Sequence, residues 1–126
     1  MSERLRGIII SHAAVAEALV EAVGQITGER EALVAVSNDG CSLGALRERL
    51  EQAVGSGPAV VFVDLPGGSC LQASATYMHT HANVAVVTGV NLAMLIDFVY
   101  HRDAEPEAAA RRAAESGARA TRVIGR

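Results

Sequence analysis

The sequence predicts an α/β domain: a doubly wound, mainly parallel sheet of order 2-1-3-4, with helices on both faces and an antiparallel C-terminal edge strand. Two observations carry this reading. Four short runs rich in β-branched residues recur at 5–11, 32–37, 59–64 and 83–88, and the first and third are apolar on both faces. Between the runs, apolar residues fall at helical spacing. Strands without a polar face must be covered on both sides, and parallel strands need crossover connections, so strand and helix alternate. The 126 residues form one expected domain, 1–126, large enough to bury a core.

The elements follow in order. After the first run, Val15, Leu19, Val23 and Ile26 make a helical stripe, and Gly28 is placed to end it. After the second, Leu43, Leu46 and Leu50 form a stripe, with Arg47 and Arg49 off it. The third helix is expected to start near Gly67 and to bury Leu71, Ala75 and Met78. The fourth carries Leu92, Leu95, Ile96 and Val99. A fifth is expected over 105–116, with Pro106 in its first turn and Gly117 beyond its end. The segment 118–124 is read as a short strand antiparallel to the rest, able to pair across a dimer.

Composition removes several functions. Aromatics make up 3% of the chain and the net charge is −3, so there is no basic, aromatic-laced surface for nucleic acid. Lysine is absent, which excludes a Walker A phosphate loop and any Schiff-base lysine. Cys41 and Cys70 lack CxxC spacing and read as free thiols. The opening residues Met1-Ser2-Glu3-Arg4 have no export-signal pattern, and no apolar stretch is long enough for a membrane span, so the expected location is cytoplasmic.

The chemistry gathers where the first and third runs end. The first is Gly7-Ile8-Ile9-Ile10-Ser11-His12; the third closes on Asp64, followed by Leu65-Pro66-Gly67-Gly68-Ser69-Cys70. In an open α/β sheet, ligands bind at the carboxyl ends of strands where the order reverses, here between strands one and three. A carboxylate on Nδ1 of His12 would fix the tautomer, leave Nε2 free as a nucleophile and stabilise the imidazolium formed on attack. Gly67 and Gly68 allow close approach of backbone N–H groups, and with Ser69 at a helix start they suit phosphoryl oxygens. Phosphoryl transfer asks for little beyond positioning and charge stabilisation, so no metal or cofactor is expected.

These pieces resemble the mannose-family enzyme IIA domain of the bacterial phosphoenolpyruvate-dependent sugar phosphotransferase system. The matching stretches are Ile8-Ile9-Ile10-Ser11-His12 with Ala16-Glu17-Ala18-Leu19, Val63-Asp64-Leu65-Pro66-Gly67-Gly68-Ser69, and Thr88-Gly89-Val90-Asn91-Leu92-Ala93-Met94-Leu95. The resemblance spans nearly the whole chain in the right order. It implies that His12 takes a phosphoryl group from the carrier HPr and passes it to an enzyme IIB domain, and that the domain is a homodimer with an antiparallel C-terminal strand. The sequence departs from the family pattern at Ala13, where glycine is usual, at Cys70, where proline is usual, and at Pro66, where an aromatic is common. It shows no fused IIB portion, so a stand-alone regulatory phosphocarrier is the alternative, as is the phosphocarrier of dihydroxyacetone kinase, which shares the topology.

Secondary site candidates are Ser11, Ala13, Cys70 and Asn91. Simpler roles stand beside each assignment. Asp64, Ser69 and Asn91 are all suited to cap helices. Cys70 reads as a packing substitute, although a helix N-terminus is able to lower a thiol pKa. His79, His81 and His101 lack metal-ligand spacing and read as solvated helix-end residues. Arg111 and Arg112 read as a solvated helix face. A serine hydrolase built on Ser69 is disfavoured because no Gly-x-Ser-x-Gly elbow is present.

Overall fold

A computed structural model describes residues 4–125. Its elements are β1 (Arg6–Ser11), α1 (Val15–Thr27), β2 (Leu33–Ser37), α2 (Leu43–Val54), β3 (Ala59–Val63), α3 (Ser69–Thr80), β4 (Val84–Thr88), α4 (Leu92–Val99) and α5 (Pro106–Ala120). The sheet has the order β2-β1-β3-β4, with every pairing parallel. The doubly wound α/β architecture and the strand order of the sequence reading are therefore found.

Alternation within the strands divides the core in two. Ile9, Val60 and Phe62 face α1, α4 and α5, where Val23, Leu95, Phe98 and Ala113 are buried. Ile8, Ile10, Val61 and Val63 face α2 and α3, against Leu46, Leu50, Ala73 and Tyr77. Phe62 meets Phe98 edge to face, with centroids 5.2 Å apart. β1 and β3, buried on both sides, form the rigid centre, and both stop at the edge where His12 and Asp64 follow.

Three expectations need correction. α3 starts at Ser69 and buries Cys70, Ala73, Ser74 and Tyr77, while Met78 is exposed and Leu71 and Ala75 are half-buried. Beside Tyr77 the packed face is made of small residues, so the apolar stripe is a poor guide to it, although Leu71 borders the core. Along α1, Val15 and Ile26 are exposed, and the buried side is Ala16 and Val23.

At the C-terminus, residues 118–120 continue α5, and 121–125 form no strand in this chain. Gly117 does not stop the helix. It lies where a Cβ would come within 3.0 Å of Met94 Cε and 3.1 Å of Asn91, so it permits close packing of α5 on α4. The following Ala118-Arg119-Ala120 are good helix formers and carry the helix on. Val123 and Ile124 stand 97% and 91% exposed. The outer edge of β4 lies in a groove of about 680 Å³ lined by Met78, Val84, Val86, Pro106, Ala110 and Ala114.

Candidate functional site

The parallel register brings Ile10 opposite Val63, so Asp64 emerges at the sheet edge beside the turn of Ser11 and His12. One oxygen of Asp64, Oδ2, accepts from the His12 backbone N–H at 3.0 Å and lies 2.7 Å from His12 Nδ1. The other, Oδ1, accepts from the Leu65 N–H at 3.0 Å. Burial pushes the Asp64 carboxyl up, but the His12 backbone and ring hydrogen bonds, the His12 charge and the Leu65 N–H together hold it below its ordinary value. Asp64 is thus a carboxylate at neutral pH and only accepts hydrogen bonds, so Nδ1 carries the proton and donates. Nε2 is left with its lone pair on a ring whose side chain is 46% exposed, against 15% for Asp64.

The turn holding His12 is fixed from both sides. Ser11 is fully buried, and its Oγ accepts from the Ala16 N–H at 2.7 Å, satisfying a donor at the start of α1 that no residue adjoining the helix covers. Ser11 therefore caps a helix. Ala13 adopts φ +51°, the only positive φ outside glycine among the described residues. Its carbonyl accepts from Ser37 Oγ at 2.9 Å. Ser37 Oγ in turn accepts from the Asp39 N–H, and Arg49 donates to the carbonyls of Ser37 and Asp39. The sequence reading places Ser37 in a strand and Arg49 off a helical stripe and gives neither a role at this turn. Their signal is weak, because both act on backbone carbonyls rather than on His12.

Gly68 precedes α3 at φ +88°, and space is open at the Cβ positions of both Gly67 and Gly68. No side chain caps this helix, so its first N–H groups are free to meet an anion. Cys70, in the first turn, brings Sγ to within 4.8 Å of ligand atoms of His12 and Asp64. Burial first, then the Asp64 charge, push its thiol up, the reverse of a helix-activated cysteine.

The remaining candidates are occupied elsewhere. Asn91 Oδ1 accepts from the Met94 N–H at 2.9 Å, and its Nδ2 donates to the Gly117 carbonyl at 3.2 Å. It caps α4 and ties it to α5. His81 stacks on Tyr77, and His101 bonds the Asp97 carbonyl through Nδ1. Arg111 pairs with Glu107 on the surface of α5, whereas Arg112 reaches Asp97 on α4.

A family model described as the PTS system fructose IIA component matches residues 7–115. The fold is similar to the phosphotransferase component EIIA of Streptococcus agalactiae, at 21% identity and TM-score 0.88, covering 95% of this chain and 97% of that one. It is similar to the mannose/sorbose-specific IIA subunit of Enterococcus faecalis, at 26% identity and TM-score 0.86, covering 98% and 97%. A sigma-54 interaction domain protein of E. faecalis shares the fold at 8% identity and TM-score 0.74, covering 95% of each chain. Among curated proteins, none matches the sequence.

Proposed function

The chain belongs to the mannose/fructose-type IIA family of the sugar phosphotransferase system, and on that footing we propose that His12 is its phosphoryl acceptor. Family membership makes it a phosphocarrier in general. The observation that carries the specific reading is the 2.7 Å contact between Asp64 and Nδ1, which leaves Nε2 without a partner from Asp64 on a half-exposed ring.

In this reading, HPr presents a phosphohistidine to Nε2. The Nε2 lone pair forms a bond to phosphorus as the donor's N–P bond breaks, and the donor imidazole leaves. The positive charge that appears on the His12 ring is balanced by Asp64, to which Nδ1 keeps its hydrogen bond. The free N–H groups at the start of α3, reached past Gly67, Gly68 and Ser69, balance the phosphoryl oxygens. The second transfer reverses these steps toward a nucleophilic side chain of an enzyme IIB domain. Membership of the IIA family supports a cytoplasmic carrier; among the described residues no helix is long and apolar enough to cross a membrane.

A homodimer completes the proposal. The open edge of β4, the groove beside it and the exposed Val123 and Ile124 support antiparallel addition of residues 121–125 from a second copy. Ala13 and Cys70 favour a second reading, in which the same phosphohistidine serves regulation by governing contact with another protein.

The test is phosphorylation with phosphoenolpyruvate, enzyme I and cognate HPr. Acid-labile label is expected on His12 and none on His12→Gln. Asp64→Asn should keep the fold and slow labelling by about 10²- to 10⁴-fold. Label that persists in His12→Gln, or folded wild-type protein that takes none, overturns the assignment.

A further inference from the structure

Phosphoryl transfer gives the Cys70 thiol nothing to do, yet the thiol lies beside the two groups that matter most. Among the described residues, His12, Asp64 and Cys70 are the only trio whose potential ligand atoms converge, all within 4.8 Å of one another. We propose that these three residues form a binding site for a thiophilic divalent cation, Zn²⁺ being the best chemical fit, and that its occupancy shuts off His12 as a phosphoryl acceptor.

The donor set is one imidazole nitrogen, one carboxylate oxygen and one sulfur. Zn²⁺ takes this mixture in a tetrahedral shell, and three protein ligands leave the fourth position to water. With ordinary zinc bond lengths, neighbouring ligand atoms in such a shell lie about 3.3–3.6 Å apart. The Nδ1 to Oδ2 contact of 2.7 Å would open slightly, and a ligand atom as far as 4.8 Å from its neighbour would close by a little over an ångström. These shifts are within the reach of side-chain rotation. Each ligand stands at the end of a rigid element: His12 after β1, Asp64 after β3, Cys70 in the first turn of α3. The Leu65 N–H already orients the outer oxygen of Asp64, as a supporting group does in metal sites. The 46% exposure of the His12 side chain provides the entry path and room for the water ligand.

Charges balance as well. A carboxylate and a thiolate neutralise the dication, and the only proton released is that of the thiol. Nδ1 is the nitrogen facing Asp64; when it binds metal, the imidazole's proton moves to Nε2. Nε2–H has no lone pair, so acceptance of a phosphoryl group stops. The carrier's chemistry needs no metal. The metal acts as an inhibitor through the same histidine; the metal site stands without the phosphocarrier reading, whereas the inhibition rests on it.

The test uses metal-free protein titrated with Co²⁺ as a spectroscopic probe, then with Zn²⁺. Expected are one equivalent bound, a near-ultraviolet thiolate-to-cobalt charge-transfer band, visible bands of tetrahedral cobalt, and displacement of both by Zn²⁺. Cys41→Ser should leave the spectrum unchanged. Cys70→Ala should lose the band and weaken Zn²⁺ binding at least tenfold. With purified phospho-HPr as donor, Zn²⁺ should block labelling of the wild type and spare Cys70→Ala. A missing charge-transfer band, or one that survives Cys70→Ala, overturns the proposal. Should Cys70→Ala not fold, the band of Cys41→Ser decides alone, since Cys70 is then the sole thiol. Because the band is read with no phosphoryl donor present, a wild type that binds cobalt but takes no label would sink only the phosphocarrier reading.

Discussion

Asp64 makes two contacts through a single oxygen, to the backbone and to the ring of the same residue. Its hydrogen bonds and the charge of His12 hold the carboxyl below its ordinary value despite partial burial. Folding therefore favours its ionised form. That contribution is complete above the unfolded-state pKa and is lost as pH falls through the lower native value. Below about pH 4, wild-type stability should fall more steeply than that of Asp64→Asn, as urea midpoints measured across pH will show. One residue along, Ala13 holds φ +51°, which a side chain tolerates poorly. Ala13→Gly should raise stability by about 1 kcal/mol by relieving that strain. Ser37→Ala, which removes the clasp on the Ala13 carbonyl, should lower it by about 1 kcal/mol. Urea unfolding of the two variants checks both signs.

The elements pack with little slack where β1 passes beneath α4. A Cβ on Gly7 would sit 2.6 Å from Leu33 Cδ2 and 2.7 Å from Phe98 Cε2. Phe98 is itself held against Phe62, so the ring has little room to retreat. Gly7→Ala should cost about 1–3 kcal/mol in thermal or urea unfolding while leaving the His12 turn intact. How far elements can be read from sequence follows from the contrast their residues offer. β1 and β3 were legible because both faces are buried and both are filled with Ile, Val and Phe. α3 was not, because its packed side is Cys70, Ala73, Ser74 and Tyr77, three of them small, while Met78 faces outward. The end of α5 was misjudged because Gly117 serves close packing against α4 rather than termination.

At the scale of the molecule, the sheet delivers its chemistry to one edge and leaves a side open along β4. The proposed exchange of 121–125 predicts a dimer in solution. Val123→Asp with Ile124→Asp should convert it to a monomer in size-exclusion chromatography with light scattering. A wild-type chain that elutes as a monomer would remove this part of the proposal. The pairing of His12 with Asp64 was legible because each residue closes a strand and strand order is a global property that alternation reveals. The roles of Ser11 and Asn91 were not, since a polar side chain beside a strand end serves a helix cap as readily as a ligand. No residue pattern marks Ser37, because its partner is a main-chain carbonyl.

The double grip of Asp64 on His12 has one more consequence. With its main chain and ring held by the same oxygen, the imidazole has a single aim, and only Nε2 is left free of Asp64. A protein delivering cargo to that atom and a protein collecting it would stand in the same spot. If His12 is the acceptor as proposed, the two visits would be taken in turn, as through a turnstile, and no three-body handover would be open.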